Sequence, residues 1–162
     1  MSALWHVSED PSIARFEPRD GLVWAIEAQH LSKYWFPRDC PRGTWWAGPA
    51  TKELDVERFL SGDRSREVHA IQADWLDPFR AARLWAYRLP SESFAPRDDP
   101  PFYFTSPAAV EPLERQELGD LFTLHAQAGI ELRIVPDLAA LWAQVIESTV
   151  EFSGNRLSNL QS

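Results

Sequence analysis

Hydrophobic and polar positions alternate over several short stretches of this chain, and a period of two marks a half-buried strand. Ala3–Ser8 alternates with Leu4, His6 and Ser8 on one face. Leu22–Ile26, released by Gly21, is the strongest strand signal of the first half. Thr44–Ala47, Glu67–Ala73, Arg83–Leu89 and Ile130–Val135 read the same way, and Phe102–Thr105 and Ala109–Leu113 bracket Ser106-Pro107 as two short strands. Helical spacing is rarer. Ala28–Trp35 aligns Leu31, Tyr34 and Trp35, Thr51 stands as the cap of a helix running to Leu60, and Trp75–Ala82 reads as helix despite Pro78. Glu114–Ala128 predicts an amphipathic helix carrying Leu118, Leu121, Phe122 and Leu124, with Gly129 just past its end. Asp137 caps a last helix that buries Leu138, Leu141, Trp142, Val145 and Ile146.

The order is a run of strands with few helices, then a helix-strand-helix ending. That predicts an α+β fold, with a compact mixed or antiparallel sheet core and a few flanking helices, rather than alternating βαβ units. The 162 residues suit one domain, expected over residues 1–152, with residues 153–162 as a loose tail. Ile13–Phe16 is a short segment that stops at Pro18, and the polar, proline-rich stretch Pro96–Pro101 is expected to be the most mobile loop.

Composition narrows the function classes. Eight Trp are many for this length, and large aromatics line ligand pockets as well as cores. The one cysteine, Cys40, has no partner for an internal disulfide. The first residues lack the basic stretch and apolar run of a signal peptide, and no 18-residue apolar segment exists, so a cytoplasmic protein with no membrane partner is expected. A net charge of −8 argues against nucleic acid as a partner. The charge is uneven: residues 1–48 carry five basic against six acidic groups, and the later residues eleven against eighteen. The nearly balanced, Arg-bearing first part suits an anionic small molecule.

Candidate chemistry gathers there, with a pocket expected in the first 46 residues. His6 and Ser8 share one strand face, and Arg15 or Arg19 could meet the anionic part of a polar ligand. The plainer reading has His6 donating to a backbone carbonyl while Glu9 and Asp10 cap a turn. In Pro37-Arg38-Asp39-Cys40-Pro41-Arg42, Arg38 or Arg42 is a better ligand contact than Cys40 is a nucleophile, although two guanidinium groups facing the thiol would lower its pKa. Trp24 and Tyr34 are candidate stacking walls. No phosphate-binding Gly loop, HExxH, CxxC or Gly-x-Ser-x-Gly occurs, and the four His share no metal-ligand spacing, so no metal is expected.

Leu4 to Arg19, together with Tyr34-Trp35-Phe36-Pro37-Arg38-Asp39-Cys40-Pro41-Arg42, resembles an uncharacterised bacterial family of about this length. The order of features is also similar to small ADP-ribosyltransferase-like domains, including the RNA 2′-phosphotransferase type. The resembling parts are the Leu4-Trp5-His6 strand, the strand and short helix over Leu22–Trp35, the stretch Leu84–Phe94 and the element Val110-Glu111-Pro112. That resemblance implies a first-strand His6 holding the ribose of NAD, an aromatic near Trp24 stacking nicotinamide, and a late Glu, which this chain offers only as the displaced Glu111. It makes His6 the candidate catalytic residue and NAD a possible cofactor. The leading expectation is a domain that binds or transfers a nucleotide such as NAD or ADP-ribose, through His6, Ser8, Arg15, Arg19, Trp24, Tyr34 and Arg38. The alternative is a non-catalytic module that binds a small metabolite or a protein through a Trp-rich surface, and a Cys40-dependent activity comes last.

Overall fold

Alternation marks strands but leaves their partners open, and the pairing sorts them into two sheets. The computed structural model describes residues 3–99 and 102–160, and the chain falls into two compact units. Unit 1 comprises residues 1–38 and 83–119, and unit 2 residues 39–82 and 120–162.

Unit 1 is an antiparallel sheet of six strands: β1 (Leu4–Ser8), β2 (Val23–Glu27), β5 (Leu84–Leu89), β6 (Ala95–Pro96), β7 (Tyr103–Ser106) and β8 (Glu114–Leu118), in the order β6-β7-β2-β1-β5-β8. Leu4, His6 and Ser8 stand opposite Leu89, Tyr87 and Trp85 of β5. This face holds the unit's core, in which Leu4, Val23, Ala25, Tyr87 and Leu89 pack with Phe16, Phe94 and Val110. Ala28–Tyr34 is helical as the spacing predicts, in 3-10 form. A hairpin turn enters β2: Arg19 and Leu22 exchange both backbone hydrogen bonds around Asp20 (φ 51°) and Gly21 (φ 83°). Positive φ at both central residues is the geometry whose twist matches that of the flanking strands, and Asp-Gly adopts it most readily.

Unit 2 is a mixed sheet of β3 (Arg42–Trp46), β4 (Glu67–Gln72), β9 (Glu131–Val135) and β10 (Glu151–Asn155), ordered β10-β3-β4-β9, in which only β4 and β9 run parallel. Its helices are α1 (Glu53–Leu60), α2 (Leu76–Ala81), α3 (Leu121–Gln127) and α4 (Leu138–Glu147). Trp45, Val68 and Ala70 meet Val56, Phe59 and Leu60 of α1 and Leu138 and Val145 of α4 on one face. Gly43 and Gly154, paired across β3 and β10, leave room for Trp142, since a Cβ on Gly43 would lie 2.6 Å from the indole and one on Gly154 2.7 Å. Gly43→Ala is therefore expected to destabilise the chain by about 1–3 kcal/mol in thermal denaturation, because the methyl has nowhere to go in packed indole. An unchanged melting temperature would show that Trp142 is free to shift.

Strands and helices in these proportions bear out the α+β class, with antiparallel and mixed sheets. Several local expectations need correction. The long helix over Glu114–Ala128 is two elements. Glu114–Leu118 instead covers the open edge of β5, where unpaired backbone groups need a partner, and Arg88–Glu114 (2.6 Å) and Arg83–Glu117 (2.5 Å) tie the strands. Asp120 then caps α3 by accepting the Thr123 amide at 2.9 Å. Thr51 caps no helix, because its hydroxyl accepts the Gly48 amide and donates to the Thr149 carbonyl. Ala109–Leu113 contributes one bridge, Val110 to Phe16, rather than a strand. Ile146 is exposed rather than core. Residues 153–155, expected to begin a loose tail, complete β10, with the Thr44 hydroxyl on the Ser153 carbonyl at 3.1 Å. The expected proline-rich loop begins inside β6, and Pro100 and Pro101 lie outside the described residues.

Candidate functional site

The first-strand residues form a cluster around His6. The register of β1 with β2 runs through Leu4↔Glu27 and Trp5↔Ile26, and just past it His6 Nδ1 lies 2.9 Å from the Trp24 carbonyl. The ring thus supplies a donor where the ladder has stopped, which is the plainer of the two expected roles. A carbonyl only accepts, so Nδ1 carries the proton and a neutral His6 presents the lone pair of Nε2. Among the described residues no hydrogen bond engages Nε2. Burial holds the His6 pKa below its ordinary value; the Trp24 carbonyl opposes this, and the charges of Arg19 and Arg38 push the pKa down further. An imidazole kept neutral beside two guanidinium groups is an electropositive position, with an acceptor at its centre.

The Phe16 ring sits 4.9 Å from His6 and edge-on to Tyr87 at 5.3 Å. The loop after β1 is held from several sides. Tyr87 donates to the Asp10 carbonyl (2.6 Å) and accepts from the Ile13 amide (3.2 Å), and Arg115 bonds the Pro11 carbonyl. Asp10 takes both the amide and the hydroxyl of Ser12, as a turn-capping carboxylate does. Ser8 accepts the Asp10 amide at 3.0 Å, so its oxygen already serves the turn. The Arg38 amide reaches Glu9 at 3.3 Å, which brings the end of the unit's first segment to this loop. Arg15 pairs with Glu17 at 2.9 Å in solvent.

Trp24 and Tyr34 lie elsewhere. Val23 and Ala25 share the core face with Leu4, so Trp24 between them points to the opposite face of the sheet. There Tyr103 stands edge-on to both, 5.8 Å from Trp24 and 6.0 Å from Tyr34, and Arg97 lies 5.1 Å over the Trp24 ring. His6, Arg19 and Arg38 therefore belong to one cluster, and Trp24 and Tyr34 to another.

Cys40 is buried, donates to the Pro41 carbonyl at 3.4 Å, and burial pushes its thiol up to about 12. Arg42 lowers that value without reversing it, its guanidinium being bound to the Cys40 carbonyl at 3.2 Å. Such a thiol is no nucleophile near neutrality.

Unit 2 holds a polar chain that the sequence reading missed. His69 and His125 are buried, their Nδ1 and Nε2 atoms 2.9 Å apart, and His69 Nε2 lies 2.6 Å from Glu67. His125 Nδ1 ends the chain on the Leu121 carbonyl at 2.7 Å. Glu67-x-His69 on one strand face was a legible half of this signal, but His125 is 56 residues away. Among the described residues, no group of three or more His, Cys, Asp and Glu side chains is placed to hold a metal ion, and no helix is long and apolar enough to cross a membrane.

The profile of a Family of unknown function (DUF6886) matches residues 5–160. No curated protein and no solved structure matches the chain.

Proposed function

The chain belongs to the family of unknown function DUF6886, and from the cluster on its first strand we propose that unit 1 binds a phosphate-bearing small molecule of the nucleotide class, such as ADP-ribose or NAD. One observation carries this reading: a tautomer-fixed His6 whose Nε2 has no hydrogen bond among the described residues, with Arg19 and Arg38 close enough to act on its charge. Nε2 accepts from a ligand hydroxyl or amine, and guanidinium forks match phosphate oxygens. Ser8 and Arg15 stand at the border of the site, each with a partner inside the unit. Trp24 and Tyr34, on the other face, are left out of this pocket. Transfer chemistry would further need a carboxylate, and Glu111, next to the Val110 that bridges Phe16, is the candidate. The reading includes a cytoplasmic setting, where nucleotides are at hand and a lone thiol stays reduced.

Calorimetric titration with ADP-ribose, NAD, AMP and inorganic phosphate tests the site. Wild type is expected to bind at least one of the nucleotides, and an Arg19→Ala/Arg38→Ala double variant that still folds to bind it roughly 10–100-fold more weakly, as lost charge-assisted hydrogen bonds imply. No heat with any of the four, or full affinity in the double variant, would overturn the reading. A second reading, a metabolite- or protein-binding module, is favoured by the 38% exposure of Trp24 beneath Arg97, and it predicts that Trp24→Ala abolishes binding while the arginine variant does not.

A further inference from the structure

Glu67, His69 and His125 of unit 2 hold a defined number of protons. The Leu121 carbonyl only accepts, so His125 Nδ1 carries a proton. Neutral His125 therefore offers a lone pair at Nε2, and His69 Nδ1 donates into it. The remaining proton lies between His69 Nε2 and Glu67.

We propose that this chain is an acid-sensitive latch: at neutral pH it fastens α3 to β4, and uptake of one proton at His125 Nε2 releases α3. The added proton would set N–H against N–H at hydrogen-bonding distance, between rings with 0% and 1% exposure. Passing the His69 proton outward to Glu67 would restore the bond, but it would leave a buried imidazolium beside a neutral acid, which is also costly. Release relieves both.

Burial outweighs the Leu121 carbonyl and the Glu67 carboxylate, which favour the added charge. β3 presents Thr44 opposite His69, and Arg42 two residues before it, bound to the Cys40 carbonyl. β9 presents Leu132 opposite His69, α2 the Phe79 ring 5.7 Å from His125, and the first turn of α3 has Asp120 committed to Thr123. Burial first, and the nearby His69 second, hold the His125 pKa down to about 4.

Amide hydrogen exchange on the intact chain tests the latch. Protection factors of Leu124 and Ala128 in and beyond α3 are expected to fall roughly 50-fold from pH 7 to pH 4.5, because the released imidazole titrates near its ordinary value. The β3–β4 ladder should stay better protected than α3 at both pH values, because α3 opens without unfolding the sheet, and His125→Gln, neutral at every pH, should flatten the response of α3. Equal protection of α3 and the ladder at pH 4.5, no loss in α3, or the same loss in His125→Gln would each overturn the proposal. If His125→Gln does not fold, imidazole ¹⁵N shifts of wild type decide. His125 must carry its single proton on Nδ1 at pH 7 and gain the second where α3 loses protection; the opposite tautomer, or a second proton gained without loss of protection, overturns it.

Discussion

Truncating Trp45 to alanine is expected to lower stability by about 3–5 kcal/mol, among the largest losses any single side chain of unit 2 can cause. Trp45 is 0% exposed, and its Nε1 donates to the Phe59 carbonyl at 2.8 Å, joining the centre of β3 to the end of α1. Its ring lies in the cluster of Val56, Leu60, Leu138 and Val145, and the Arg133 guanidinium covers it from 5.6 Å. Alanine leaves a cavity lined by rigid elements and leaves the Phe59 carbonyl with Arg133 Nη2, at 3.1 Å, as its remaining side-chain donor. Trp45→Phe separates these effects, since it keeps most of the volume and loses the N–H, at an expected cost of about 1–2 kcal/mol. Urea denaturation of both variants measures the two. A loss below about 1 kcal/mol in the alanine variant would mean that unit 2 closes around the gap.

Acid should weaken the fold as the pH falls from about 6.5 to about 4. His125 binds a proton at about 4 in the folded chain and near 6.5 when unfolded, so between these values the unfolded state holds more protons. Its contribution is complete above pH 6.5 and is lost as pH falls towards 4, reaching on the order of 3 kcal/mol. Release of α3 limits that loss, because it lets His125 titrate without unfolding the rest. His6 adds a change of the same sign in unit 1, its pKa being held down by burial. Denaturant midpoints measured from pH 7 to pH 4 should fall for wild type and fall less for His125→Gln. A flat wild-type curve would mean that the buried imidazole takes its proton without penalty.

The local patterns carried much of the fold. β1, β2, β4, β5 and β9 lie where alternation places them, although β4 and β5 are buried on both faces, from Val68 to Ile71 and from Leu84 to Tyr87. Asp137 caps α4 as expected, its carboxylate on the Ala140 amide, because a cap is a contact within four residues. Glu114–Leu118 defeated the same reasoning. Its sequence suits an amphipathic helix, and only the open edge of β5 makes it a strand.

The site divides along the same line. The sequence by itself determined that His6 and Ser8 share a strand face, that Asp10 and Ser12 form a turn, and that acidic and basic groups nearly balance over residues 1–48. Those are matters of spacing. Tertiary structure alone decided that Trp24 leaves the His6 cluster for the opposite face, that Cys40 is buried with a raised pKa, and that His69 meets His125. Each of these depends on which distant segments pack together, and the free energy that brings them together is non-directional apolar burial, whose partners short-range patterns do not specify.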